Sequence, residues 1–96
     1  MKRILIVEDE QAIREMVGFA LKRAEFYFEE VADAEQALVA VAINPPDLIL
    51  LDWLLPGMSG VDLARRLRKE DVPAKIPIIL LTARVEENDR VYGLEA

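Results

Sequence analysis

Ninety-six residues, 53% of them hydrophobic and 31% charged, suit one small globular domain and exclude extensive disorder or a second folded unit. Twelve Lys/Arg against 18 Asp/Glu give a net charge of −6, which disfavours direct nucleic-acid binding and suits metal ions or basic partners. With neither cysteine nor histidine, the chain has no disulfide, no thiolate metal site, and neither the usual zinc ligand nor the usual general base.

The opening Met1-Lys2-Arg3 leads into four strongly apolar residues, too few for a signal peptide. No stretch approaches the roughly 20 apolar residues of a membrane span, so the expected location is cytoplasmic. Ile4–Val7 reads as a buried strand (β1). Residues 10–24 place Ile13, Met16, Val17, Ala20, Leu21 and Ala24 at helical spacing, which predicts an amphipathic helix (α1) with that face in the core. Phe26–Val31 mixes aromatics with Glu29 and Glu30, as a partly exposed strand does (β2).

Asp33 with Gln36 three residues on has the form of a capping box and opens a second helix (α2). That helix stops before Asn44-Pro45-Pro46-Asp47, where the prolines cannot continue it. Leu48–Leu51 is a third strand (β3), Ser59 caps a third helix (α3) running to about Glu70, and Ile78–Leu81 forms a fourth strand (β4) after the Pro73–Pro77 loop. Glu86–Leu94 reads as a fourth, acidic-started helix.

Alternation of strand and helix with short connections predicts parallel strands, right-handed crossovers and helices on both faces. Three of the strands are unbroken apolar runs, as in a sheet covered on both sides, and only β2 has the mixed pattern of an edge. β4 then has no later strand beside it. A flat apolar edge of that kind invites pairing with another chain, so self-association is expected, and the polypeptide is expected to stop short of its domain boundary.

The chemistry gathers at strand ends. Glu8-Asp9 closes β1, Asp52 closes β3 and Thr82 closes β4. In open α/β sheets ligands bind at the carboxyl edge of the strands. If β1 and β3 are neighbours, Glu8, Asp9 and Asp52 converge, and hard oxygen donors in a small cluster favour Mg²⁺ or Mn²⁺. Such an ion could hold a phosphoryl group against Asp52, a carboxylate being a known nucleophile in phosphoryl transfer. The Thr82 hydroxyl can donate to a phosphoryl oxygen, Ala83 leaves space beside it, and Gly57 and Gly60 let the β3–α3 loop turn tightly and approach closely. Each residue also has a plainer reading. Glu8 and Asp9 could be acidic residues favoured near a helix N-terminus, Asp52 a loop cap, and Thr82 an ordinary strand-end hydroxyl. Joint placement at one sheet edge favours the functional reading. A metal-dependent phosphatase fits less well, because no carboxylate or histidine lies two residues past Asp52. A nucleotide carrier is disfavoured because Glu8-Asp9 would repel an unescorted phosphate.

Three segments, Ile4–Glu10, Asp47–Gly57 and Pro77–Ala83, together with Ile13–Met16 and Asp89–Glu95, resemble the receiver domain of two-component response regulators, closest to its phosphate-regulon branch. The resemblance implies a flavodoxin-like three-layer sandwich with sheet order 2-1-3-4-5. It implies Asp52 as phosphoacceptor from the phosphohistidine of a sensor histidine kinase, with Glu8, Asp9, Asp52 and the Leu54 backbone carbonyl at an Mg²⁺ site. Thr82 and Ala83 would form the phosphoryl-contacting switch, and the domain would dimerise to control a separate DNA-binding region. The family's phosphoryl-contacting lysine and aromatic switch lie on its fifth strand, beyond Ala96. A partial receiver over 1–96 is therefore expected, with order 2-1-3-4 and without the fifth strand and fifth helix. An Mg²⁺-binding, self-associating module that takes no phosphoryl group stands as the alternative.

Overall fold

In the computed structural model, residues 2–55, 57–69, 76–81 and 91–94 are described. β1 (Arg3–Val7), β2 (Tyr27–Val31), β3 (Leu48–Asp52) and β4 (Ile78–Leu81) form a parallel sheet, with β5 (Val91–Leu94) added antiparallel at one side. The order is β2-β1-β3-β4-β5, so β2 is an edge, as its mixed pattern predicts. The β1–β3 pairing sets Ile4 against Leu48 and Val7 against Leu51. That register brings the ends of the two strands level, and the winding of the sheet reverses between them.

α2 (Ala34–Ile43) and α3 (Gly60–Lys69) cover one face. Their Ala37, Val41, Leu63 and Leu67 pack with Leu5, Val7, Ile49, Leu51, Ile78 and Leu80 in a single buried core. Strand alternation sends Ile4 and Ile6 to the opposite face, where α1 (Gln11–Arg23) lies against β1 and β2. Both predicted caps form. The Asp33 side chain accepts the Gln36 N–H at 2.8 Å while Gln36 Oε1 accepts from Ala32 N, and Ser59 Oγ accepts from Asp62 N at 3.1 Å.

Two expectations are corrected. The buried stripe of α1 is narrower than its periodicity suggests. Gly18 is buried and Ile13, Val17 and Leu21 are half-buried, but Met16, Ala20 and Ala24 are exposed. The reason is close approach: a Cβ on Gly18 would stand 2.8 Å from the Phe28 ring, so the helix rests on the β2 edge along the Gly18 line. The second concerns the tail. Val91–Leu94, expected inside a helix over Glu86–Leu94, is instead strand β5, and residues 86–90 lie outside the described residues. β5 runs Ile78↔Leu94 to Leu81↔Val91 along β4. An apolar strand edge presents a row of unpaired N–H and C=O groups, and pairing with a later segment of the same chain satisfies them. The edge-strand argument for self-association through β4 falls with it.

Candidate metal and phosphoryl site

The β1–α1 turn is pinned on every side. Glu8 N–H donates to Val31 O on β2 (3.1 Å), and Glu8 Oε2 accepts the Glu10 N–H (3.1 Å). The Arg14 guanidinium reaches back from α1, its Nη1 donating to the carbonyls of Glu8 (2.7 Å) and Asp9 (3.2 Å). With the backbone committed, the Glu8 carboxylate is buried and Asp9 is exposed at the rim.

The end of β3 is fixed in a similar way. Trp53 N–H donates to Leu81 O at 2.8 Å, continuing the β3–β4 ladder past Asp52. Asp52 is buried, and its Oδ1 accepts the Leu54 N–H at 3.2 Å. α3 then begins hard against this turn, with Gly60 N–H on Trp53 O at 2.8 Å. A Cβ at position 60 would lie 2.3 Å from the Asp52 carbonyl oxygen, so only glycine allows this approach.

Glu8, Asp9 and Asp52 meet as the strand ends require, one carboxylate oxygen from each lying within 4.8 Å of the others. The plainer readings survive in part, since Glu8 and Asp52 each use an oxygen to hold a local turn. Turn-holding does not explain why three carboxylates should crowd together. Burial pushes the Glu8 carboxyl up to about 7, against the Glu10 N–H, with Asp52 and Asp9 adding to the rise. Asp52 is also raised, first by burial and then by Asp9, while the Leu54 N–H and its hydrogen bond with Glu8 pull the other way. In the absence of a cation, a proton shared between Glu8 and Asp52 relieves the repulsion. A hard, doubly charged cation fits this donor set, because it would replace that proton and satisfy three oxygens together.

Leu54 is half exposed just past Asp52, and its N–H is bound to the Asp52 carboxylate. Gly57 has φ +81°, the left-handed conformation its turn requires. Thr82 and Ala83 lie outside the described residues. Arg14, whose guanidinium meets both turn carbonyls, is not singled out by the sequence reading. A cation at the end of a helix's first turn opposes the macrodipole, and that misfit is the available signal that its partners lie outside the helix.

Among the described residues, no helix is long and apolar enough to cross a membrane. The family profile of the response regulator receiver domain matches residues 4–96. The chain is 50% identical over 94 residues to the phosphate regulon transcriptional regulatory protein PhoB of Pseudomonas aeruginosa, covering 98% of this chain and 41% of that protein. It therefore spans less than half the length of that curated relative. Among solved structures, the response regulator TrrA of Thermotoga maritima, in complex with Mg²⁺-BeF, aligns with TM-score 0.79 and 40% identity over 90% of this chain and 73% of that one. The receiver domain of a sensor histidine kinase from Pseudomonas aeruginosa, with magnesium in its active-site cleft, aligns with TM-score 0.80 and 31% identity over 91% and 75%. Sheet order, strand-end carboxylates and family match agree, and the chain belongs to the response regulator receiver domain family.

Proposed function

We propose that this chain is a phosphoacceptor: Asp52 takes a phosphoryl group from the phosphohistidine of a sensor histidine kinase. The observation that carries this is the convergence of Glu8, Asp9 and Asp52 at the sheet's switch point. An Asp52 carboxylate oxygen forms the new bond to phosphorus as the nitrogen–phosphorus bond of the donor breaks, the electron pair leaving on the imidazole. Glu8, Asp9, Asp52 and the Leu54 carbonyl are the proposed ligands of Mg²⁺ or Mn²⁺. When bound, that cation supplies neutralisation of charge on the carboxylates and the transferring group.

The remaining work falls to the chain's own groups. The Leu54 N–H orients the Asp52 carboxylate, and burial keeps bulk water from it. Thr82, with Ala83 beside it, is the proposed residue whose hydroxyl donates to a phosphoryl oxygen. A receiver of this kind is a substrate of phosphoryl transfer more than an enzyme, its own catalysis being limited to transfer from a donor and self-dephosphorylation. PhoB is by name a transcriptional regulatory protein, and the output proposed here is likewise transcriptional, through dimerisation and a DNA-binding region. The acidic chain itself is a poor nucleic-acid ligand.

The test is incubation with acetyl phosphate and Mg²⁺, read by intact mass. Wild type should gain one acid-labile phosphoryl group, and folded Asp52→Asn should gain none. Wild type that binds Mg²⁺ yet takes up no phosphoryl group would instead support the binding-only module.

A further inference from the structure

The geometry points to Arg14 as a positioning residue for the metal site, holding Glu8 and Asp9 from behind through their backbone carbonyls. This rests on the proposed Mg²⁺ reading of the carboxylate cluster. One guanidinium nitrogen spans the two successive carbonyls at 2.7 and 3.2 Å, while Nε faces Glu30 Oε1 on β2 at 3.6 Å. The Arg14 side chain is only 17% exposed, and its shorter contact, to the Glu8 carbonyl, is partly buried, where a charge-assisted bond is stronger than in water.

Three features make this a brace and not a chance contact. Peptide planes set where the Glu8 and Asp9 carboxylates project, and both planes are fixed by the same cation. Glu30 anchors that cation to the neighbouring strand, whose Val31 carbonyl also takes the Glu8 N–H. Gly18, one turn further along α1, has its Cβ position 2.8 Å from Phe28 and 3.0 Å from Glu30 Oε2, so the helix is seated where Arg14 can reach both strands. Arg14 therefore acts on the ion through its ligands, as groups beyond the ligand set of metal sites do.

Charge alone would act with the opposite sign. A cation beside the cluster repels Mg²⁺, so removing it for electrostatic reasons should tighten binding. Loss of a brace should weaken it. Mg²⁺ titration of Trp53 fluorescence, repeated by calorimetry at a temperature where circular dichroism shows each protein fully folded, separates the two. Arg14→Met is expected to raise the Mg²⁺ dissociation constant by about tenfold. Arg14→Lys keeps the charge but cannot span two carbonyls and Glu30 together, so it should weaken binding by a smaller factor and serves if Arg14→Met does not fold. Glu30→Gln should fall between wild type and Arg14→Met. Folded Arg14 variants that bind Mg²⁺ as tightly as wild type, or more tightly, overturn the assignment while leaving the metal site intact. Wild type that takes up no Mg²⁺ by either method overturns the site reading itself, and the Arg14 role with it.

Discussion

Replacing Gly60 by alanine tests the claim that the α3 start and the end of the strand that carries Asp52 are fitted to one another. Gly60 has no positive φ, so alanine can adopt its backbone conformation and only space is at issue. The added Cβ would meet the Asp52 carbonyl oxygen at 2.3 Å, and the Asp52 carbonyl carbon and Trp53 Cα at 3.1 Å each. All three are backbone atoms, so no rotamer change relieves them. Restoring an ordinary contact means moving α3 or the Asp52 peptide by about 1 Å, and overpacking of this kind costs about 1–3 kcal/mol. The gain in helix propensity, at most about 1 kcal/mol, is smaller still at a first helical position. A net loss of about 1–2 kcal/mol is expected, read as a lower urea midpoint with unchanged slope. If Asp52 is the phosphoacceptor as proposed, a shift of about 1 Å at its carboxylate should also slow phosphoryl uptake from acetyl phosphate by roughly a hundredfold. Gly60→Ala with wild-type stability, Mg²⁺ affinity and phosphorylation rate would refute the reasoning.

Glu8 should make the metal-free protein less stable as pH rises. Its carboxyl, pushed up to about 7 from 4.5, favours folding fully below about 4.5 and loses that contribution as pH climbs through 7, and the raised Asp52 acts in the same direction. Thermal melts without metal should fall from acid to mildly alkaline buffer, while Mg²⁺, displacing the proton, should bind more tightly and stabilise more above pH ~7. Asp52→Asn removes one buried carboxylate, so in metal-free mildly alkaline buffer it should melt several degrees above wild type, and an equal or lower melt would contradict the repulsion inferred at the cluster. Glu25 sits at φ 66° just past α1, where Phe26 N–H bonds to Leu21 O and Glu25 N–H to Lys22 O. Glu25→Gly should stabilise the fold by about 1 kcal/mol in urea titration, and no gain would mean the left-handed turn carries no strain.

What the sequence disclosed followed from how locally each feature is encoded. Both caps were legible because capping depends on residues three apart, and the strands because an apolar run between acidic and proline punctuation has few alternatives. The carboxylate cluster was legible because a strand end fixes where its last side chain lies once the neighbouring strand is known. Met16 and Ala20 were misplaced because helical periodicity reports an apolar face without reporting how far the helix sits from the centre of its sheet. Val91–Leu94 reads as helix because its partner, the edge of the preceding strand β4, is a tertiary fact that short-range preference does not contain. Arg14 is harder to read for a related reason: its charge in the first turn hints at a partner outside the helix, but that the partners are the Glu8 and Asp9 carbonyls follows only from the fold.

These observations meet in one electrostatic account of the site. The fold spends considerable backbone order on bringing like charges together: Arg14 fixes two peptide planes, the Leu54 N–H fixes the Asp52 carboxylate, and Gly60 admits α3 against the same strand end. Stability alone would disperse those carboxylates, since burial already drives Glu8 toward neutrality. A shared proton and the proposed divalent cation would be alternative occupants of the same negative potential, and a site built this way would bind the cation in exchange for the proton. The proposed phosphorylation would add charge to Asp52 and so raise the demand for the cation at the moment Glu8 most favours a proton. Mg²⁺ dependence of phosphoryl uptake should therefore be steepest near neutral pH, where the two occupants compete on even terms, and should flatten as the medium becomes alkaline.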